Sequence, residues 1–105
     1  MPKYLLAVSY TAEGAKGVAK SGGSARVDAA RELAEGLGGS LESMYFAFGP
    51  ADVYAIVDMP SQAAAAAAVL ALGASGAAGS STTVLITPEE VDEAAGVLAG
   101  MPAAG

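Results

Sequence analysis

Three features of this sequence predict an α+β fold built on a four-stranded antiparallel sheet with helices on one face. Two apolar runs, one ending at Phe48 and the next starting at Asp52, are separated by little more than Gly49 and Pro50, the spacing of a short β-hairpin. Helical patterns flank that hairpin on both sides, and each is bounded at its far end by a further strand-like run, Lys3 to Tyr10 and Ser80 to Thr87. A central hairpin with helical crossovers on either side is the split β-α-β arrangement.

Taken in order, Lys3 to Tyr10 is rich in Leu, Val and Tyr and forms the first strand. Thr11 caps a short helix over Ala12 to Lys20, with Glu13 in its first turn. After the break Ser21-Gly22-Gly23, Ser24 is placed to cap a second helix in which Val27, Ala30, Leu33, Ala34 and Leu37 share one stripe, ended by Gly38-Gly39. Ser40 to Phe48 reads as the second strand, with Leu41, Ser43, Tyr45 and Ala47 on one face and Glu42, Met44, Phe46 and Phe48 on the other. Asp52 to Met59 is the third strand, with Val53, Ala55, Val57 and Met59 opposite Asp52, Tyr54, Ile56 and Asp58.

The alanine run Ala63 to Leu72 has high helix propensity and stops at Gly73 and Gly76. After the fourth strand, Thr87-Pro88-Glu89-Glu90 supplies a cap, a proline at the first helical position and a glutamate at the third, so a last helix runs to about Leu98. The result is a ferredoxin-like unit with an extra C-terminal helix. One domain over residues 1–100 is expected, followed by a frayed tail at 101–105. Neither face of the first and third strands is strongly polar, and the face without helices is therefore expected to be covered by a second copy in a homodimer or higher homo-oligomer.

Composition narrows the chemistry. Hydrophobic residues make up 53% of the 105 residues, but aromatics only 6% and Trp is absent, so the core rests on Ala, Val and Leu. The net charge of −6 matches a polyanion poorly, and nucleic acid is not expected as a partner. All five cations lie at or before Arg31, and every charged residue from Glu32 onward is acidic. The sequence contains no Cys and no His, which removes disulfides, thiolate chemistry and the commonest base and transition-metal ligand. No metal and no cofactor is expected. The N-terminal residues read as a strand and not as a signal peptide, and the alanine run falls short of the roughly 20 apolar residues a membrane span needs, so no membrane partner and a cytoplasmic location are expected.

The segments Lys3 to Thr11, Gly22 to Arg26, Tyr45 to Gly49, Asp52-Val53-Tyr54 and Thr83 to Val91 together resemble the GYD family of small bacterial proteins. That family's naming motif is a Gly, a Tyr and an Asp at the hairpin; here Gly49-Pro50-Ala51-Asp52 keeps the Gly and the Asp, has one residue more, and has no Tyr between them. The resemblance implies a ferredoxin-like fold related to the dimeric α/β-barrel proteins, which include small monooxygenases, isomerases, haem enzymes and ligand-binding regulators. It implies no single reaction.

Lys20 and Arg26 bracket a glycine-rich break before a helix, where free backbone N–H groups favour an anion. Tyr10, Tyr45, Asp52 and Tyr54 stand near strand ends, where residues distant in sequence converge on a cavity. These six are the candidate ligand contacts. No residue is assigned as catalytic, and the dense acids Glu89, Glu90, Asp92 and Glu93 are accounted for by the capping box and the helix dipole. The expected function is binding of a small apolar or anionic molecule by a homo-oligomer. Two alternatives stand beside it: a cofactor-independent monooxygenase or isomerase using Tyr and Asp as acid and base, and a module whose task is assembly itself.

Overall fold

The computed structural model describes residues 1–103, so of the expected tail 101–105, residues 104 and 105 lie outside the described residues. Eight elements follow the chain: β1 (Lys3–Tyr10), α1 (Ala12–Ser21), α2 (Gly23–Gly36), β2 (Ser40–Phe46), β3 (Val53–Asp58), α3 (Gln62–Ala74), β4 (Ala78–Leu85) and α4 (Pro88–Ala99). The strands form one antiparallel sheet in the order β2-β3-β1-β4, the ferredoxin-like layout in which each crossover spans one strand.

Alternation decides what each central strand buries. Tyr4, Leu6 and Val8 of β1 and Val53, Ala55 and Val57 of β3 are buried beneath the helices, while Leu5, Ala7, Tyr54 and Ile56 point to the other side and stay partly exposed. Over the covered face, α2 lies on β2 and α3 on β4, contributing Ala34, Ala65 and Ala68 to the core. Glycine is required at two of these close approaches. A Cβ on Gly14 would run into the Ala77 carbonyl, and one on Gly39 into that of Asp58.

Of the expected N-terminal caps, Thr11 and Thr87 form, and Ser61 adds one on α3. Thr11, Ser61 and Thr87 each accept a backbone N–H from the first turn, and Thr87 with Glu90 closes a full capping box. The cap expected at Ser24 is not formed. Helix α2 begins two residues earlier, at Gly23 after Gly22 at φ 84°, and has no side-chain cap; Gly23 packs against the Phe46 ring, where a side chain would crowd it.

Two further differences concern the hairpin. The register of β2 shifts between Leu41 and Ser43, so Leu41, Met44 and Phe46 all face the core, opposite Val57, Ala55 and Val53. The expectation that Leu41 shares a face with Ser43 and Tyr45 is thereby corrected: a bulge keeps the apolar residues inward and frees Glu42 to pair with Lys3 at 2.9 Å. Strand β2 also stops at Phe46, short of Phe48, which sits at φ 55° in the left-handed region. The connection therefore runs from Ala47 to Asp52, closed by the bonds Ala47 N–H to Asp52 O (2.9 Å) and Gly49 N–H to Ala51 O (3.0 Å).

The last helix departs from the layer. All of α4 is exposed, and the molecule measures 59 × 28 × 21 Å with a radius of gyration of 16.8 Å, against about 13 Å for a compact domain of this length. No helix is long and apolar enough to cross a membrane among the described residues.

Candidate functional site

The covered side of the sheet is incompletely filled. Between α2, α3 and the central strands lies a cavity of about 260 Å³, walled by strand residues such as Leu6 and Val57 and by the methyl groups of Ala30, Ala68 and Ala71. Its origin is the sequence of α3, whose fully buried positions, Ala65 and Ala68, carry only methyl groups, leaving Leu72 as the bulky α3 side chain on the cavity wall. Helices anchored over β2 and β4 thus leave a gap above β1 and β3.

Three polar side chains line this apolar space: Tyr10, Arg26 and Ser75. Ser75 is committed to the end of α3, donating to the Leu72 carbonyl (2.6 Å) and accepting from Ala77 N–H (3.2 Å). Arg26 is different, because its Nε is buried and has no hydrogen-bond partner among the described residues. The absence of a side chain on Gly17 allows the guanidinium its path, since a Cβ there would stand 3.1 Å from it. A buried guanidinium nitrogen left without an acceptor carries a desolvation cost that a bound anion would remove.

Tyr10 enters the cavity from the last position of β1. Burial raises its pKa above the ordinary phenol value; the positive charge of Arg26 opposes that rise and the negative charge of Asp52 adds to it. The phenol is therefore a proton-bearing group, suited to donating a hydrogen bond. Asp52 fixes its position: one carboxylate oxygen accepts the Tyr10 backbone N–H at 2.8 Å, and the Asp52 N–H donates to the Val8 carbonyl at 2.8 Å. The Asp at the hairpin thus bonds to backbone across the sheet, at a strand 42 residues away in sequence.

The sequence model of the GYD domain family matches residues 4–95 of the chain. The chain belongs to the GYD domain family. No curated protein and no solved structure matches it. In this GYD domain the hairpin that carries Gly49 and Asp52 closes the end of the sheet beside Tyr10, and Asp52 holds the backbone of that cavity-lining residue.

The six residues singled out in the sequence fall into three groups. Tyr10, Arg26 and Asp52 converge, the first two on the cavity wall and the third as their support. Tyr45 and Tyr54 face each other across β2 and β3 on the bare side of the sheet, and Tyr45 is 72% exposed. Tyr54 borders a more open concavity of about 360 Å³ with Ala7, Ser9, Pro50 and Ser81. Lys20 is exposed in the last turn of α1 and lines neither space.

Of the two spaces, the smaller is the better enclosed and has the apolar walls with few convergent polar groups that mark ligand sites. Sequence reading passed over its walls. Ala68, Ala71, Met44 and Met59 look like ordinary core positions, and the one available signal was the lack of bulk on the alanine helix.

Proposed function

We propose that this GYD-family protein binds a small organic anion in the cavity between α2, α3 and the sheet, the apolar part lying against the alanine walls and the charge on Arg26. The observation that carries this reading is the buried, unpartnered Nε of Arg26 in an otherwise apolar space. Tyr10 stands beside it as a second donor, and its raised pKa keeps the proton on the phenol. A volume of about 260 Å³ is below the usual range of roughly 300–1,000 Å³ for drug-sized ligands, so the ligand has a single ring or a short chain.

The binding unit is a homodimer joined through the bare face of the sheet, in the manner of the dimeric α/β-barrel proteins. Leu5, Ala7, Tyr54 and Ile56 give that face an apolar centre, and the cluster of Lys3 with Glu42 and Asp58, each at 2.9 Å, gives it a polar end. Neither role needs a catalytic residue.

Isothermal titration of the protein with hexanoate, benzoate and the neutral hexanol tests the reading. Hexanoate or benzoate is expected to bind, hexanol to bind more weakly, and Arg26→Gln to cost the anions at least about tenfold in affinity. Equal binding of anion and alcohol, or anion affinity unchanged in Arg26→Gln, overturns it.

A further inference from the structure

The two edges of the sheet are built differently. At one edge, β2 carries the bulge between Leu41 and Ser43 and the charged Glu42, both of which hinder pairing with a further strand. At the other edge, β4 runs its 8 residues, Ala78 to Leu85, in unbroken register with β1 and without a proline or a charge. Gly79 and Ser81 to Val84 are exposed, and Thr82, Thr83 and Val84 are β-branched residues suited to a strand. Helix α4, which follows, is exposed throughout and stands away from that edge.

Strand alternation decides which backbone groups the edge presents. Thr11 N–H donates to the Ala77 carbonyl at 2.9 Å, next to the pair Tyr10 and Ala78 that begins the register of β1 with β4. Bonded pairs alternate along an antiparallel ladder, so Gly79, Ser81, Thr83 and Leu85 bond towards β1. Ala78, Ser80, Thr82 and Val84 therefore turn N–H and C=O outward, where no strand lies among the described residues. Ser80 lacks a partner in its side chain as well. It stands opposite Val8 on the helix-covered side, and its Oγ is buried without a hydrogen-bond partner among the described residues.

We infer that β4 pairs with β4 of a second copy, antiparallel about a two-fold axis at Ser81, and so extends the sheet across two molecules. In this register Ala78 stands opposite the second copy's Val84 and Ser80 opposite its Thr82, and every outward N–H and C=O of the strand is paired. A shift of one residue would set outward groups against residues whose own bonds point to β1. A shift of two would carry the groups of Ala78 or Val84 past the end of the other strand. On the covered side, the second copy's Thr82 hydroxyl comes beside Ser80, where a Cβ separation of about 5 Å and a change of χ1 bring the two hydroxyls together. Val84, 55% exposed in the single chain, comes beside Ala78. The fit is of β4 to itself, and an uncharged strand brings no like charges together between copies that each carry −6. It uses the edge of the sheet and not its bare face, and it does not depend on the ligand reading.

Because the sequence has no cysteine, an introduced thiol reports the register. Ser81 meets its own counterpart at a non-hydrogen-bonded position, where Cα atoms lie about 4.5 Å apart, within the span of a disulfide. Thr83, on the same face and also exposed, is displaced from its counterpart by about 13 Å along the strands. Full-length Ser81→Cys, held at micromolar concentration in a glutathione redox buffer, is expected to give at least about tenfold more disulfide-linked dimer than Thr83→Cys. Adding Thr82→Pro to Ser81→Cys removes an outward N–H and no bond to β1, and is expected to cut the yield at least about fivefold with circular dichroism unchanged. Where proline alters the spectrum, Thr82→Lys is read in its place, with the same loss expected. Adding Ile56→Asp, which acts on the bare face, is expected to leave the yield unchanged. No Ser81→Cys dimer, equal dimer from Thr83→Cys, a yield indifferent to the change at Thr82, or a yield lost in Ile56→Asp overturns the inference.

Discussion

At the scale of single residues, the site is a problem in where the buried Nε of the half-buried Arg26 finds an acceptor. Arg26 supplies the charge, Tyr10 a neighbouring proton donor and Asp52 the fixture that holds the end of β1. The three are electrostatically linked, and the linkage can be read by titration. Tyr10 ionises above the ordinary phenol range because burial penalises the phenolate, with Arg26 acting against that shift and Asp52 with it. Arg26→Gln is therefore expected to move the Tyr10 transition to higher pH and Asp52→Asn to lower pH, each isolated by subtracting the ultraviolet titration of Tyr10→Phe. Opposite directions would contradict the placement of these charges.

The same group contributes to pH stability. A raised folded pKa means that the unfolded chain loses the phenolic proton first, so the contribution is fully present below pH about 10 and declines as pH rises through the folded value. A second residue-scale test concerns packing. Gly14→Ala would drive a methyl group into the Ala77 carbonyl, and chemical denaturation is expected to show a loss of roughly 1–3 kcal/mol. An unchanged midpoint would mean that α1 is not held against the start of β4.

At the scale of elements, the alanine helix is the part that makes room. Ala68 is buried on the cavity wall, and Ala68→Leu places an isobutyl group into the empty space. Stability is expected to hold or rise by about 1 kcal/mol as apolar area is buried, while hexanoate affinity falls at least about tenfold. A loss of stability with binding intact would mean that Ala68 faces filled core. The same helix shows what the sequence makes legible. Its existence follows from local chemistry, as does that of the other three helices and the four strands, because periodicity is a property of short segments, although the helix runs past the expected stop at Gly73 to Ala74. The gap beside it is not legible, because a missing volume depends on how far apart two helices are anchored.

The bulge at Leu41 and Ser43 is hidden for a similar reason. Strict alternation assigns Leu41 to the outer face, and only pairing with β3 shows that one extra residue returns it to the core. Arg26 stands out in the sequence as a cation beside a glycine-rich break, but its burial depends on the bare Gly17 of a neighbouring helix and on a cavity built by distant residues. The separation of Tyr45 and Tyr54 from Tyr10 follows from strand alternation, which sends them to opposite faces of one sheet.

At the scale of the whole molecule, two surfaces remain without a partner in the single chain: the bare sheet face and the projecting α4. They make different demands. The sheet face is broad, with an apolar centre, and Ile56→Asp is expected to shift sedimentation at micromolar concentration from dimer towards monomer, with circular dichroism unchanged. A dimer indifferent to Ile56→Asp would remove that face from the interface. Helix α4 is a narrow arm with an acidic start.

The most direct test of the ligand reading is a crystal structure of the protein grown with hexanoate. The carboxylate is expected within hydrogen-bonding distance of the Arg26 guanidinium, with its chain between α2 and α3 against Ala68 and Ala71. Hexanoate bound instead on the bare face beside Tyr54, or a cavity left without it at saturating concentration, would contradict the proposed site.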